Sequence, residues 1–260
     1  MKERLHGLRF ASDYFCKLKV LRLGRFPQQL AIFPLLSLPN LESLQIGNCY
    51  FEELLFQSEG VGGEEGFQNL RILYVEGCPK LKSNLVPSSV CFQNLMTLKV
   101  EFCYGIIKLV AHSTAKSLVQ LREMRISSCE KIEEIIEGSD GDRDEVKVEI
   151  IFPKLNLLEL SCLSNLESFC SSGNHTFGFP SLATVIVNYC PRMKMFSKGG
   201  LNAPMLHKVR QYEWDDGDWI WEGSLNSTIQ KLFTERNPME EMQYSIEDQG
   251  NPSISNTQST

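Results

Sequence analysis

The sequence predicts an α/β solenoid: a horseshoe of stacked coils with a parallel β-sheet on its concave face. Three observations carry this: a twelve-residue motif that recurs along most of the chain, apolar alternation inside the motif, and a composition suited to one folded unit. With 260 residues, 42% hydrophobic and 22% charged, the chain is neither too polar to fold nor apolar enough for a membrane protein. Its greasiest stretch, Leu30 to Leu41, is broken by Pro34 and Pro39, so no membrane span is expected.

The first copy of the motif is FCKLKVLRLGRF, residues 15–26. LPNLESLQIGNC (38–49), FQNLRILYVEGC (67–78), FQNLMTLKVEFC (92–103) and LVQLREMRISSC (118–129) follow and align without gaps. FPKLNLLELSCL (152–163) has Leu163 in place of the cysteine, and FPSLATVIVNYC (179–190) restores it. APMLHKVRQYEW (203–214) is a degenerate last copy with Gln211 in an aliphatic position. Start-to-start spacings of 23 to 34 residues fall mostly within the leucine-rich-repeat period.

Within each copy, L-x-x-L-x-L-x-x-C puts two apolar residues on one face of a short strand: Leu44 and Ile46, Leu73 and Val75, Leu98 and Val100, Met124 and Ile126. The closing cysteine is expected to turn inward, small enough to sit among apolar groups and to donate its weak S–H to a backbone carbonyl. Apolar pairs at three-residue spacing after it (Ile106 and Leu109, Ile132 and Ile135, Met193 and Phe196) mark the return segment. One coil cannot bury its own apolar face, so neighbouring coils must stack on a shared core. The expected organisation is an N-terminal edge or partial repeat over 1–14, about eight repeats over 15–223 with an acidic insertion at 137–149, a capping helix over 224–242, and a disordered tail over 243–260. Around that insertion, Glu130 to Glu149 holds nine acids and three bases, a net charge equal to the −6 of the whole chain. Its centre, GSDGDRDE, is expected to project as a mobile loop. In SLNSTIQKLF (224–233), Leu225, Ile229, Leu232 and Phe233 share one helical face.

No enzyme, metal or cofactor signature is present. The cysteine row cannot converge tetrahedrally on zinc, because stacked strands about 4.8 Å apart set equivalent residues in a line. Cys170 and His175 are read as an inert Ser/Gly/Asn loop rather than a nucleophile and base. GVGGEEG (60–66) has acids where a phosphate site needs lysine, and EWDDGDWIWE (213–222) lacks the spaced ligands of a calcium loop, so its tryptophans are expected to seal the solenoid's end. Nine cysteines and no visible secretory leader in MKERLHGLRF suggest free thiols and a cytoplasmic setting. A net charge of −6 speaks against generic nucleic-acid binding.

What remains is the concave face, where outward-alternating strand residues mix charged, aromatic and aliphatic groups suited to a protein partner. The candidates are Arg22, Gln45, Ile72, Tyr74, Lys99, Arg125, Glu159, Ile186 and Arg210. Ile72, Leu157 and Ile186 are read as outward aliphatics, unusual for a surface without a partner. Tyr74 and Arg125 are expected to be replaceable by alanine with little effect on folding.

CEKIEEIIEGSDGDRDEVKVEIIFPKLNLLELSCLSNLESFC (129–170), FPSLATVIVNYCPRMKMFSKG (179–199) and WEGSLNSTIQKLF (221–233) resemble the leucine-rich-repeat region of plant intracellular disease-resistance proteins, of the coiled-coil nucleotide-binding class. The resemblance implies effector sensing and immune signalling, with the repeats also restraining a nucleotide switch. It implies as partner a pathogen effector, a guarded host protein, or the nucleotide-binding module of a resistance protein. A second reading is the substrate-recognition subunit of a ubiquitin ligase, which would need an F-box bundle ahead of Phe15.

Overall fold

The computed structural model describes residues 17–25, 32–35, 38, 40–56, 67–82, 85, 91–138, 147–211 and 219–235. In chain order its first strands are β1 (Val20–Gly24), β2 (Ile32–Leu35), β3 (Ser43–Gly47), β4 (Glu53–Phe56), β5 (Ile72–Glu76), β6 (Thr97–Glu101), β7 (Lys108–Val110) and β8 (Glu123–Ser127). They are followed by β9 (Glu134–Ile136), β10 (Val148–Ile151), β11 (Leu157–Ser161), β12 (His175–Gly178), β13 (Thr184–Asn188), β14 (Leu201–Asn202), β15 (Val209–Arg210) and β16 (Trp219–Ile220). Helix is confined, among the described residues, to α1 (His112–Ala115) and to α2, residues 225–235.

Each motif copy contributes one strand to a nine-stranded sheet, ordered β1-β3-β5-β6-β8-β11-β13-β15-β16. All neighbours in it are parallel except β15 and β16, where Val209 and Arg210 face Ile220 and Trp219 antiparallel. The residues make this shape by three local devices. In the copies from Leu38 onward the first apolar residue accepts a hydrogen bond from the fourth, as in Phe67 O from Leu70 N at 3.0 Å and Phe92 O from Leu95 N at 3.3 Å, a tight turn that buries both of these pairs. The strand then alternates, with Leu44, Leu73, Leu98, Met124, Leu158 and Val185 pointing into the core. Last, the residue before the cysteine position adopts a left-handed backbone in copy after copy: Asn48, Gly77, Phe102, Ser128, Cys162 and Tyr189. That twist swings the next residue under the sheet while its own N–H reaches the following coil, as Phe102 N does to Ser127 O at 3.1 Å.

Cys49, Cys78, Cys103, Cys129 and Cys190 are all buried. Each donates to the carbonyl two residues earlier, and Cys190 also lies 3.4 Å from Leu160 O of the preceding coil. The return segments are strands more than helices: β2 with β4, β7 with β9, and β10 with β12 and β14 form three small parallel sheets. Ile106, Leu109, Ile132, Ile135, Met193 and Phe196 line the core between the two sides. A phenylalanine stack fills its C-terminal half, with Phe152 on Phe179 at 5.3 Å and Phe169 on Phe196 at 4.7 Å.

Residues 139–146 of the acidic insertion lie outside the described residues, as do 1–14 and the tail. Val148 and Glu149, which the sequence groups with the insertion, instead belong to β10 and pair with His175 and Thr176. At the C-terminal end, α2 buries Leu225, Ile229 and Leu232 against the last coil. Ser224 Oγ accepts from Ser227 N at 3.1 Å as its cap. Asn226 locks the helix to the solenoid: its Oδ1 accepts from Phe196 N and Ser197 N, and its Nδ2 donates to Ser197 O at 2.8 Å. Trp221 packs against the core. No helix among the described residues is long and apolar enough to cross a membrane.

Candidate functional site

The parallel register converts strand alternation into straight rows. Arg22, Gln45, Tyr74, Lys99, Arg125, Glu159, Ile186 and Arg210 are successive Cα partners and form one continuous row across the concave sheet. Ile72 sits in the row beside it, between Ser43 and Thr97, and is 39% exposed.

Much of the row is braced. The Tyr74 hydroxyl lies 2.8 Å from both Glu76 Oε2 and Glu101 Oε2, one hydrogen shared between two carboxylates. Burial first, then those two acids, raise its phenol above the ordinary value of 10. Lys99 Nζ stands 5.1 Å from the Tyr74 ring centroid and 3.2 Å from Glu101. Arg125 bridges two carboxylates, with Nε on Glu123 and Nη1 2.6 Å from Glu159 Oε2, while Ser161 Oγ donates to Glu159 Oε1 at 3.2 Å. Trp219 carries the Lys208 ammonium 3.7 Å above its ring and the Arg210 guanidinium at 4.7 Å.

Two candidates are in the row but not on the surface. Glu159 is 6% exposed, covered by the Arg125 fork, and Ile186 is 5% exposed between Glu159 and Arg210. The reading of Ile186 as an outward aliphatic is therefore corrected; its apolar side chain fills the row rather than awaiting a partner. Lys208, the other cation over Trp219, lies immediately before β15. The mild expectation for alanine at Arg125 also changes, since that residue neutralises a buried carboxylate.

At the N-terminal end the row opens. Arg22, Leu23, Gly24, Gln45, Ile46, Gly47, Tyr74 and Glu76 line a cleft of about 190 Å³. Gly24 and Gly47 hold the strand position that Glu76 and Glu101 occupy in the next two coils. Sequence comparison of the copies could have found this gap, because only those two lack a side chain there among the described strands.

On the return side, Cys170 and His175 are not an exposed loop. Both are fully buried, with Sγ 3.9 Å from Nδ1, and the His112 ring lies 5.7 Å from His175. Burial pushes the Cys170 thiol up to about 11 and His175 below its ordinary 6.5, the second shift helped by His112 and Lys116. A high-pKa thiol beside a neutral imidazole is poorly suited to nucleophilic attack. Among the described residues no group of three or more His, Cys, Asp or Glu is placed to hold a metal ion.

Comparison with known proteins agrees with this geometry. The family "Plant disease resistance protein RPS2-like, leucine-rich repeats" matches residues 84–198. A probable disease resistance protein of Arabidopsis thaliana is 25% identical over 212 residues, covering 77% of this chain and 20% of its own. Another from the same plant is 26% identical over 218 residues, covering 78% of this chain and 19% of its own. The chain thus spans about a fifth of the length of these relatives. No solved structure matches it.

Proposed function

We propose, from the likeness of its repeats to those of plant disease-resistance proteins, that the concave face of this leucine-rich-repeat chain recognises another protein in plant defence. The observation that carries the reading is the single in-register row from Arg22 to Arg210. Tyr74, Lys99 and Arg125 within it are held by internal carboxylates, so binding there would order few additional side chains. Arginine and tyrosine are also the residues in which binding energy concentrates. The partner is a pathogen effector, a host protein that such an effector alters, or the nucleotide-binding module of a resistance protein, which the repeats would restrain. The setting is the cytoplasm. No residue of the row favours the ubiquitin-ligase alternative.

The test is calorimetric titration of the chain with a candidate partner, comparing Tyr74→Ala and Lys99→Ala with a return-side control, Lys108→Ala. Each concave variant should weaken binding by about 1 to 2 kcal/mol while the control binds normally. Unchanged affinity in a folded Tyr74→Ala/Lys99→Ala double variant, with loss in the control, would overturn the concave-face reading.

A further inference from the structure

We infer that the cleft at the N-terminal end of the concave face is a subsite for a carboxylate side chain presented by a partner protein; this rests on the protein-recognition reading above. Four observations converge on it. First, the three polar groups at the centre of the row are paired internally: Tyr74 with Glu76 and Glu101, Lys99 with Glu101, and Arg125 with Glu123 and Glu159. Arg22 and Gln45 alone among the row's described polar side chains have neither a hydrogen bond nor an ion pair with described residues. Second, these two are direct Cα partners on β1 and β3, so a guanidinium and an amide are presented side by side.

Third, the cleft is space the sequence leaves open. A Cβ on Gly47 would meet nothing within 4 Å, and one on Gly24 only Gly47 O at 3.8 Å. Neither glycine is demanded by crowding; their effect is to leave a recess where the neighbouring coils carry glutamate. Fourth, the edge is basic. Residues 17–25 carry Lys17, Lys19, Arg22 and Arg25 with no acid, and among the described residues only Lys19 of these four has an ion-pair partner, Glu42 at 2.8 Å. Guanidinium geometry matches a carboxylate bidentately, and the Gln45 amide adds a third donor. The Tyr74 ring offers an apolar wall for the methylenes of an aspartate or glutamate. Glu76 on the far wall is tied to the Tyr74 hydroxyl, and it repels a second acid beside the first. The ligand is thus one acidic residue on an extended segment, set among uncharged neighbours.

The test pans a random twelve-residue peptide display library on the whole chain, then measures the winning peptides by fluorescence anisotropy. Winners should carry one fixed Asp or Glu, and exchanging it for Asn or Gln should weaken binding about tenfold or more. Arg22→Gln, whose exposed side chain leaves the unfolding midpoint unchanged, should cause a similar loss, and Gln45→Ala a smaller one. Winners without an acid, an affinity indifferent to Arg22→Gln, or no winners at all would overturn the subsite. Acid-free winners that are nevertheless lost on Tyr74→Ala would overturn the subsite alone and leave the concave-face reading standing. Winners protected from both variants and displaced by Lys108→Ala would overturn the two together. Self-association of the chain abolished by Arg22→Gln would make a second copy the occupant and overturn the assignment to a partner protein.

Discussion

Leu98 and Lys99 are chain neighbours with opposite roles. Leu98 is 1% exposed in the core while the Lys99 side chain is 36% exposed on the concave face. Leu98→Ala should cost about 2 to 5 kcal/mol in urea denaturation, whereas Lys99→Ala should stay within about 0.5 kcal/mol. Arg125 behaves differently from Lys99 despite the shared row. Its removal strands Glu159, so Arg125→Ala should cost about 1 to 3 kcal/mol, and adding Glu159→Gln should restore part of the loss. Full stability in Arg125→Ala would mean that Glu159 finds water instead. His175 sets an acid limit. Burial foremost, then His112 and Lys116, hold its pKa below 6.5, so the unfolded chain takes up more protons as pH falls through 6.5. Its stabilising contribution is therefore complete above 6.5 and lost on acidification towards the lowered value. Urea midpoints at about pH 7.5 and 5.5 should differ more in the native chain than in His175→Phe; an equal difference would exclude this residue.

At the scale of elements, the two ends of the concave sheet are unequal. β16 and α2 cover the C-terminal coil, with three Asn226 hydrogen bonds joining helix to coil. At the other end, Leu18, Leu21 and Leu23 are only partly buried, although their equivalents Leu95, Leu98 and Val100 are closed off. Amide exchange should be faster over Leu18 to Leu23 than over Leu95 to Val100, and equal protection would show that the first described coil is sealed after all. The strands themselves were legible because two-residue alternation and a tight turn are written within a dozen residues. The return strands were not. Three-residue spacing of Ile106 and Leu109 fits a helical turn as well as a loop, and the pairing of β7 with β9 depends on a coil 26 residues away.

For the whole molecule, a core running coil to coil couples each repeat mainly to its neighbours. Thiol chemistry reports on that coupling. Cys162 is exposed, whereas Cys49, Cys78, Cys103 and Cys129 are buried. The Cys103 thiol is also pushed up to about 12, foremost by its hydrogen bond to Cys129. Cys162 should label at once with a thiol reagent under native conditions, and the column should follow only as coils open, Cys49 before Cys129. Simultaneous labelling of the column would instead mean that the solenoid opens as one unit.

The sequence by itself determined the period, the inward pairs and the inward cysteine, because each follows from spacing inside one copy and recurs in register. It also identified which strand residues leave the core. Only the tertiary structure decided which of those meet solvent. Glu159 and Ile186 alternate outward as Gln45 does, yet an arginine fork over one and flanking Glu159 and Arg210 around the other bury them. Cys170 and His175 look like loop residues until stacked coils bury them together, and two small glycines become a cleft only when β1 and β3 are paired. Exposure is set by neighbours some 25 to 35 residues away, and no local pattern carries their identity.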